Sequence, residues 1–375
     1  MRILTLKAEN FRNIGKCTLH FSEGVNLLYG ENAQGKTNAL EAIYLFARGK
    51  SFRTSDEREL IRFGAEGMSA SILYEDADGE QEIEYAVFGR ERRRVRNGVK
   101  LGKVTEMIGH FRAVLFTPGD LCMVQDGPDA RRAFLNVAIS QCYPSYIKTY
   151  ARYKALLDQR NALLRSSKQG KEVDMGELFA FSDEMAEVAA LLRETRTEYV
   201  RELDRFARPF LFDLSDGKEK MTVQYESDVP EAISDRKEAE AEYRRIFTSA
   251  LEREMAVGTS LYGIQRDDLD IRIGGISARN FGSQGQQRSI VLALKLAEGE
   301  VSRAISGDYP VFLFDDVMSE LDEKRRSYLL TAAKDRQIIL TSCELQEDLF
   351  RTIFGDLRVF LVSGGEYRLL SGGEA

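Results

Sequence analysis

Tryptophan is absent and histidine nearly so: the 375 residues include only His20 and His110. A mechanism built on a histidine base, or on several histidine ligands, is poorly supplied. The cysteines, Cys17, Cys122, Cys142 and Cys343, fall in unrelated contexts with no CxxC pair. That argues against a disulfide framework or zinc cluster and fits a reducing cytosol. No apolar run approaches the roughly 18 residues of a membrane-spanning helix. The opening stretch MRILTLKAENF alternates like a strand and lacks the apolar core of a signal peptide. Positive charge is also in deficit. A formal net charge of −7 argues against coating nucleic acid with the whole surface. A local basic patch survives that exclusion, because salt confines fields to about 8 Å.

What is present is ordinary globular composition, 43% hydrophobic and 30% charged, in a chain long enough for two or so domains. Residues 1–115 read as β-rich with one helix. ILTLKAENF and KCTLHF alternate like paired strands, and GVNLLYG is a short apolar strand. From Ala70 to Lys103, three or four strands are expected, with Asp78-Gly79 and Asn97-Gly98 as hairpin turns. Residues 116–257 read as helical. Leu178, Phe181, Met185, Val188, Leu192, Thr195, Tyr199 and Leu203/Phe206 follow a near-heptad stripe with one polar intrusion, Thr195. A further helix carries Tyr243, Ile246/Phe247 and Ala250/Leu251 on one side. This region is either a small bundle with a buried seam or a short antiparallel coiled-coil arm. Alternating strands and helices return over 258–375, with PVFLFDD, RQIILTS and LRVFLVSGGEYRLL as strands. VSGGEY within the last reads as a hairpin turn. The fold class is therefore α/β, with a mixed sheet, a β-rich subdomain and an inserted helical domain.

GENAQGKT, Gly30 to Thr37, matches G-x-x-x-x-G-K-[ST] and lies between the strand VNLLY and an amphipathic helix. Glycines let successive N–H groups curl around phosphate oxygens, and the helix N-terminus adds its positive end. Lys36 is positioned to reach the β- and γ-phosphates, and the Thr37 hydroxyl to ligate Mg²⁺. The strand VFLFDD ends in two carboxylates. Asp315 is expected on the Mg²⁺ side, and Asp316 is expected to orient or deprotonate the attacking water.

A second anion-binding turn, Ser283-Gln284-Gly285-Gln286, precedes a helix with Ile290, Leu294, Ala297 and Val301 in register. One chain then carries two phosphate-binding ends, as in ABC-type ATPases, where two heads pair head to tail. LSGGE at Leu370–Glu374 spells a transporter-like signature, but only Ala375 follows it, so no helix is expected there.

GENAQGKTNALEAIY, RGKSFRTSDERELIRFG, QRDDLDI, FGSQGQQRSIVLALKLAE and FDDVMSELD together resemble the RecF family of bacterial recombination mediators, ABC-type ATPases related to SMC heads. The resemblance covers essentially the whole chain. It implies ATP and Mg²⁺ at Gly30, Glu31, Asn32, Ala33, Gln34, Gly35, Lys36 and Thr37, with Asp315 toward the metal and Asp316 toward the water. It implies a trans signature at Ser283, Gln284, Gly285 and Gln286, an interface segment at Ser319–Asp322, and Arg12 near the nucleotide. It further implies ATP-driven homodimerisation on duplex or single-strand/double-strand junction DNA and slow, DNA-stimulated hydrolysis. RecR, with RecO, would be partners in loading RecA at gaps, in a cytoplasmic, nucleoid-associated setting. Three departures stand out. No histidine follows the last core strand, where ILTSC offers Thr341 or Ser342. Gln265 stands where many relatives have histidine. The usual Q-loop glutamine has no clear counterpart, Gln125 being nearby in a different local pattern.

DNA contact is expected along the hairpin Arg90–Lys103. It carries Arg90, Arg92, Arg93, Arg94, Arg96, Lys100 and Lys103 against one acid, Glu91. Such a hairpin would meet phosphates without reading sequence, or be only a charged, aggregation-resistant edge. Arg131, Arg132, Lys148 and Arg152 form a second candidate surface. An ABC transporter subunit is the alternative reading, disfavoured by the long span from Gly30 to Ser283. An SMC-type structural linker is disfavoured by the short helical insertion.

Overall fold

The computed structural model describes residues 1–345, 350 and 356–371. Gly372 to Glu374 of the LSGGE run lie outside them. The chain forms two compact units. The first comprises Met1–Met123, Phe206–Lys220 and Ser283–Ala375; the second comprises Val124–Arg205 and Met221–Gly282.

In chain order, the first unit begins with β1 (Arg2–Phe11), β2 (Ile14–His20), β3 (Val25–Tyr29), α1 (Lys36–Arg48), β4 (Gly67–Asp76), β5 (Gly79–Phe88), β6 (Glu91–Arg96), β7 (Val99–Lys100) and β8 (Ala113–Phe116). The second unit holds α2 (Pro128–Cys142), α3 (Pro144–Lys168) and most of α4 (Met175–Leu214). It continues with β9 (Met221–Glu226), α5 (Arg236–Ser249), α6 (Leu251–Val257), β10 (Asp268–Ile273), β11 (Ile276–Ser277) and α7 (Ala278–Phe281). The first unit then resumes with α8 (Gln284–Ser306), β12 (Val311–Asp315), α9 (Glu323–Ala332), β13 (Ile338–Ser342), β14 (Leu357–Ser363) and β15 (Glu366–Ser371).

Two six-stranded sheets build the first unit. One is antiparallel, in the order β2-β1-β4-β5-β6-β7. Its strands alternate, burying Ile83, Tyr85 and Val87 on one face and leaving the neighbours outward. Asn97 and Gly98, both at positive φ (47° and 77°), make the tight turn read from the sequence. The other sheet has the order β15-β14-β3-β13-β12-β8, with β14, β3, β13, β12 and β8 parallel and β15 antiparallel at the edge. VNLLY, VFLFD and IILTS are nearly all buried, as expected of strands covered on both faces. α1 packs against strands of both sheets. Among the described residues, no helix is long and apolar enough to cross a membrane.

In the second unit, α3 and α4 run antiparallel. Arg152 on α3 bonds Glu184 on α4 (2.8 Å), Arg160 bonds Ser182 (2.9 Å), and Tyr146 receives Arg196 (2.8 Å). The near-heptad residues of α4 are mostly buried, and Thr195 returns its hydroxyl to the Leu191 carbonyl (3.1 Å). The seam also carries fully buried ions. Arg160 pairs with Glu254 (2.7 Å) and Arg196 with Asp267 (2.7 Å). Breaking such a pair leaves an uncompensated buried charge. This is a packed bundle joined by the sheet β11-β10-β9.

The unit boundaries differ from the expected divisions at 116 and 258. β10 and β11 pair with β9 rather than with a sheet of the first unit, so residues 258–282 stay in the second unit.

Candidate nucleotide site

The P-loop turns between β3 and α1. A Cβ on Gly30 would lie 2.3 Å from the Val362 carbonyl oxygen, so the backbone of β14 leaves no room for a side chain. Gly35 takes φ 114° at the helix N-cap, where a Cβ would lie 2.6 Å from Asn13 Oδ1. Ala33 is left-handed too, at φ 64°. Handedness changes of this kind form the anion-binding nests of phosphate loops.

Two neighbouring turns pin the loop. Asn13 Nδ2 donates to the Gln34 carbonyl (3.0 Å) and Asn38 Nδ2 donates to Asn13 Oδ1 (2.7 Å). The β14–β15 turn adds Gly365 N–H to the Gln34 carbonyl (2.8 Å), Gly364 N–H to Gln34 Oε1 (2.7 Å) and Tyr367 hydroxyl to the Gly35 carbonyl (2.8 Å). Read from sequence as a plain hairpin turn, VSGGEY is thus a wall of the P-loop. Gln34 spends its side chain on that wall.

Lys36 curls back, donating to the carbonyls of Gly30 (2.6 Å) and Glu31 (2.9 Å) and lying 3.2 Å from Cys343 Sγ. Thr37 donates to Asp315 Oδ1 at 2.7 Å, and Thr341 donates to the same oxygen at 3.0 Å. Burial, with the charge of Asp316, pushes the Asp315 carboxyl above the usual range. The two threonine hydroxyls and Arg53 oppose this. Asp316 stands at φ 52° and donates its N–H to Thr341 Oγ1 (2.8 Å). Of the two candidates in ILTSC, Thr341 meets the carboxylate pair. Ser342 instead bonds the Glu344 carbonyl (2.9 Å).

These residues fit a nucleotide with a divalent ion. Among the described residues, no cluster of three or more His, Cys, Asp or Glu side chains is arranged to hold a metal alone. One hydroxyl and one carboxylate would leave phosphate oxygens and water to complete a coordination shell.

Arg12, expected near the nucleotide, is held by a buried carboxylate. At φ 54°, it forks onto the fully buried Glu41 of α1 (2.9 and 2.6 Å) and donates to the Glu59 carbonyl (2.8 Å). Ser51 and Arg53 join the same carboxylate (2.5 and 3.4 Å). The cost of burying Glu41 explains the arrangement.

The signature turn caps α8. Ser283 Oγ accepts the Gln286 N–H (3.3 Å), and Gln286 Oε1 accepts the Ser283 N–H (2.8 Å), a reciprocal capping box. Arg325 donates to the Gly285 carbonyl (2.9 Å) and to Ser289 Oγ (2.9 Å), and pairs with Asp322 of the interface segment. Arg288 donates to the Glu320 carbonyl (2.7 Å). Gln284 is exposed and has no partner among the described residues. No hydrogen bond among those residues links Gly30–Thr37 to Ser283–Gln286. Gln125, the Q-loop candidate, falls in the second unit.

The basic hairpin divides by strand alternation. Arg92, Arg94 and Arg96 sit opposite the buried Val87, Tyr85 and Ile83, whereas Arg93 sits opposite Ala86. Arg92 bonds Glu57, Arg94 lies 5.2 Å over the Tyr85 ring, and Arg96 donates to Gln81 (3.0 Å). These three are committed inward, which corrects the expectation of one basic face. Arg90, Arg93, Lys100 and Lys103 are exposed, Arg93 at 3.6 Å from Glu84. The second candidate surface also shrinks. Arg131 is buried on Asp268 (2.7 and 2.8 Å), Arg132 bonds the Asp267 carbonyl (2.7 Å), and Arg152 is paired with Glu184.

A P-loop at the end of β3, a carboxylate pair at the end of β12 and a separately capped signature helix define an ABC-type ATPase head. The family model "RecF/RecN/SMC N terminal domain" matches residues 2–360. The DNA replication and repair protein RecF of Geobacillus kaustophilus is 35% identical over 97% of this chain and 98% of its own. That of Acetivibrio thermocellus is 35% identical over 97% and 99%. A solved structure of the recombination mediator RecF with ATP, described in the RecFOR pathway, superposes with TM-score 0.89 at 33% identity, covering 99% of this chain and 98% of that one. An SMC head from Pyrococcus furiosus, 16% identical with TM-score 0.56 and covering 98% of this chain and 96% of that one, shares the fold. The chain belongs to the RecF family.

Proposed function

We propose that the chain is an ATP-dependent DNA-binding clamp of recombinational repair. ATP bound at Gly30–Thr37 of one head is completed by Ser283–Gln286 of a second copy, so that two nucleotides close a homodimer. The observation that carries this reading is the signature itself: a preformed, capped helix N-terminus sharing no bond with the P-loop of its own chain. Helix N-termini attract phosphate. Arg325 and Arg288 join that N-terminus to the 319–322 segment, so the parts needed at an interface are held as one surface.

Lys36 exchanges the Gly30 and Glu31 carbonyls for β- and γ-phosphate oxygens. Thr37 and Asp315 would hold Mg²⁺, which when bound neutralises phosphate charge. Asp316 orients or deprotonates the attacking water, and hydrolysis is slow because neither Thr341 nor Ser342 supplies a histidine's proton chemistry. ATP must bind the closed state more tightly than the open one to drive closure. The closed dimer meets duplex or junction DNA through exposed cations that include Arg90, Arg93, Lys100 and Lys103. By likeness to RecF relatives, RecR and RecO are its partners in loading RecA at gaps.

Sedimentation with and without ATP, repeated with duplex DNA, tests the reading. Wild type is expected to dimerise with ATP, and Lys36→Ala to stay monomeric. ATP-dependent dimerisation by Lys36→Ala, or a wild type that remains monomeric, overturns it.

A further inference from the structure

Gln286 makes one contact that the capping box does not require. Its Nε2 donates to Glu219 Oε1 at 2.8 Å. Glu219 comes from Phe206–Lys220, the part of the first unit that includes the end of α4. That end is closed by a capped turn. Beyond Leu214 the chain reverses through Asp216 (φ 54°) and Gly217 (φ 77°), and Gly217 N–H caps the Phe212 carbonyl at 2.8 Å. Ser215 Oγ accepts the Glu219 N–H (3.0 Å), and Lys324 pairs with Asp216 (2.6 Å). The carboxylate is therefore carried on a fixed turn.

The chemistry of this contact is one-directional. A carboxylate only accepts hydrogen bonds, so Gln286 must show it the NH₂ end of its amide. The carbonyl end is then forced toward the Ser283 N–H, a donor. Without Glu219, the single bond from the Ser283 N–H is all that holds the amide in the orientation that closes the capping box. Gln286 is thereby engaged at both ends, with one N–H and one carbonyl lone pair left over. The N–H groups of Gln284 and Gly285, the first of α8, have no intrahelical acceptor.

We propose that Glu219 is a positioning residue of the trans signature: it sets the Gln286 amide and so holds the Ser283–Gln286 turn in its phosphate-accepting shape. The inference rests on the proposed trans site. Because the end of α4 carries Glu219, the signature's order is tied to that helix cap as well as to its own sequence.

The test uses the full chain as wild type, Glu219→Ala and Glu219→Gln, with two readouts. Amide hydrogen exchange without nucleotide reports the turn directly. Exchange across 283–287 is expected to rise about tenfold in Glu219→Ala and to return to within about threefold of wild type in Glu219→Gln, whose carbonyl still accepts the bond. Unchanged exchange in Glu219→Ala overturns the proposal, whatever the dimer does. ATP titration followed by sedimentation is the second readout. Glu219→Ala is expected to bind ATP as a monomer with wild-type affinity yet to dimerise about tenfold more weakly per composite site, again rescued by Glu219→Gln. Glu219→Gln failing as badly as Glu219→Ala also overturns the proposal, since charge and not amide orientation would then matter. A wild type that never dimerises defeats the proposed function, while the exchange result still decides the role of Glu219.

Discussion

The division of the basic hairpin makes a numerical claim about salt. Each cation that neutralises a phosphate on duplex DNA contributes about 0.9 to the slope of log K against log salt. Replacing Arg90, Arg93, Lys100 and Lys103 with Ala removes the exposed set. If all four meet phosphates, the slope falls by about 3.6; two contacts give about 1.8. Melting should barely move, because exposed charges contribute little to stability. Arg92→Ala acts in the opposite way. Burial works to raise the Glu57 carboxyl, but hydrogen bonds from Tyr85 and Arg92 outweigh it and hold the group below its usual range. Removing Arg92 costs about 2 kcal/mol, the scale of one charge-assisted hydrogen bond. For a unit of this size, that lowers Tm by about 4–8 °C. Its effect on the salt slope should be close to zero. Anisotropy titrations on a random-sequence duplex at several salt concentrations, with thermal melts in parallel, separate the two sets. The reasoning is refuted if Arg92→Ala flattens the slope as much as the exposed-set variant while melting normally.

Two further predictions concern the head. Asp316→Asn keeps the N–H that bonds Thr341, so the ATP-bound dimer should form and persist while turnover falls about a hundredfold; steady-state turnover equal to wild type removes Asp316 from the reaction. The second follows from Glu298 on α8, whose carboxyl is pushed up to about 7 chiefly by burial, with Lys295 (3.9 Å) only partly opposing. The folded state keeps this proton where the unfolded chain has released it. That contribution is therefore full below about pH 4.5 and is lost as pH rises through about 7, a change of about 3 kcal/mol. Urea unfolding across this range should show a decline about 3 kcal/mol smaller in Glu298→Gln than in wild type, the rest including Asp267, which burial also pushes up to about 7; parallel pH profiles for the two proteins would sink the idea.

The parallel core was legible because strands buried on both faces must be apolar throughout, and VNLLY, VFLFD and IILTS are. The P-loop was legible because its motif lies in one continuous strand–loop–helix stretch, β3 to α1, with Gly35 at positive φ. What escaped notice depended on partners distant in sequence. MTVQYE alternates well enough for a strand, yet its partner β10 begins only at Asp268, so nothing local marked β9. Arg12 is expected near the nucleotide only through the family resemblance; its partner Glu41, in the apolar face of LEAIY, was not foreseen. A glutamate there was the available signal, since a buried carboxylate requires a cation. The seven cations of the hairpin were counted as one patch, although a period of two sends neighbours to opposite faces. Charge counts on a strand carry meaning only after they are separated by face.

The same care applies to the signature's amides. As sequence, Gln284 and Gln286 are equivalent polar residues flanking a glycine, each able to bond across an interface without placing charge beside phosphate. Their surroundings separate them. Gln286 has both ends of its amide engaged, one by Ser283 and one by Glu219. Gly285 has its carbonyl held by Arg325, and a Cβ there would lie 3.1 Å from the Arg325 guanidinium. That leaves the exposed amide of Gln284, the Ser283 hydroxyl proton and the first N–H groups of α8 to face a phosphate. A nucleotide completed in trans would then be recognised mainly by backbone and by one amide. On that reading the rest of the motif holds the backbone in place, which would account for so many side chains in a short turn.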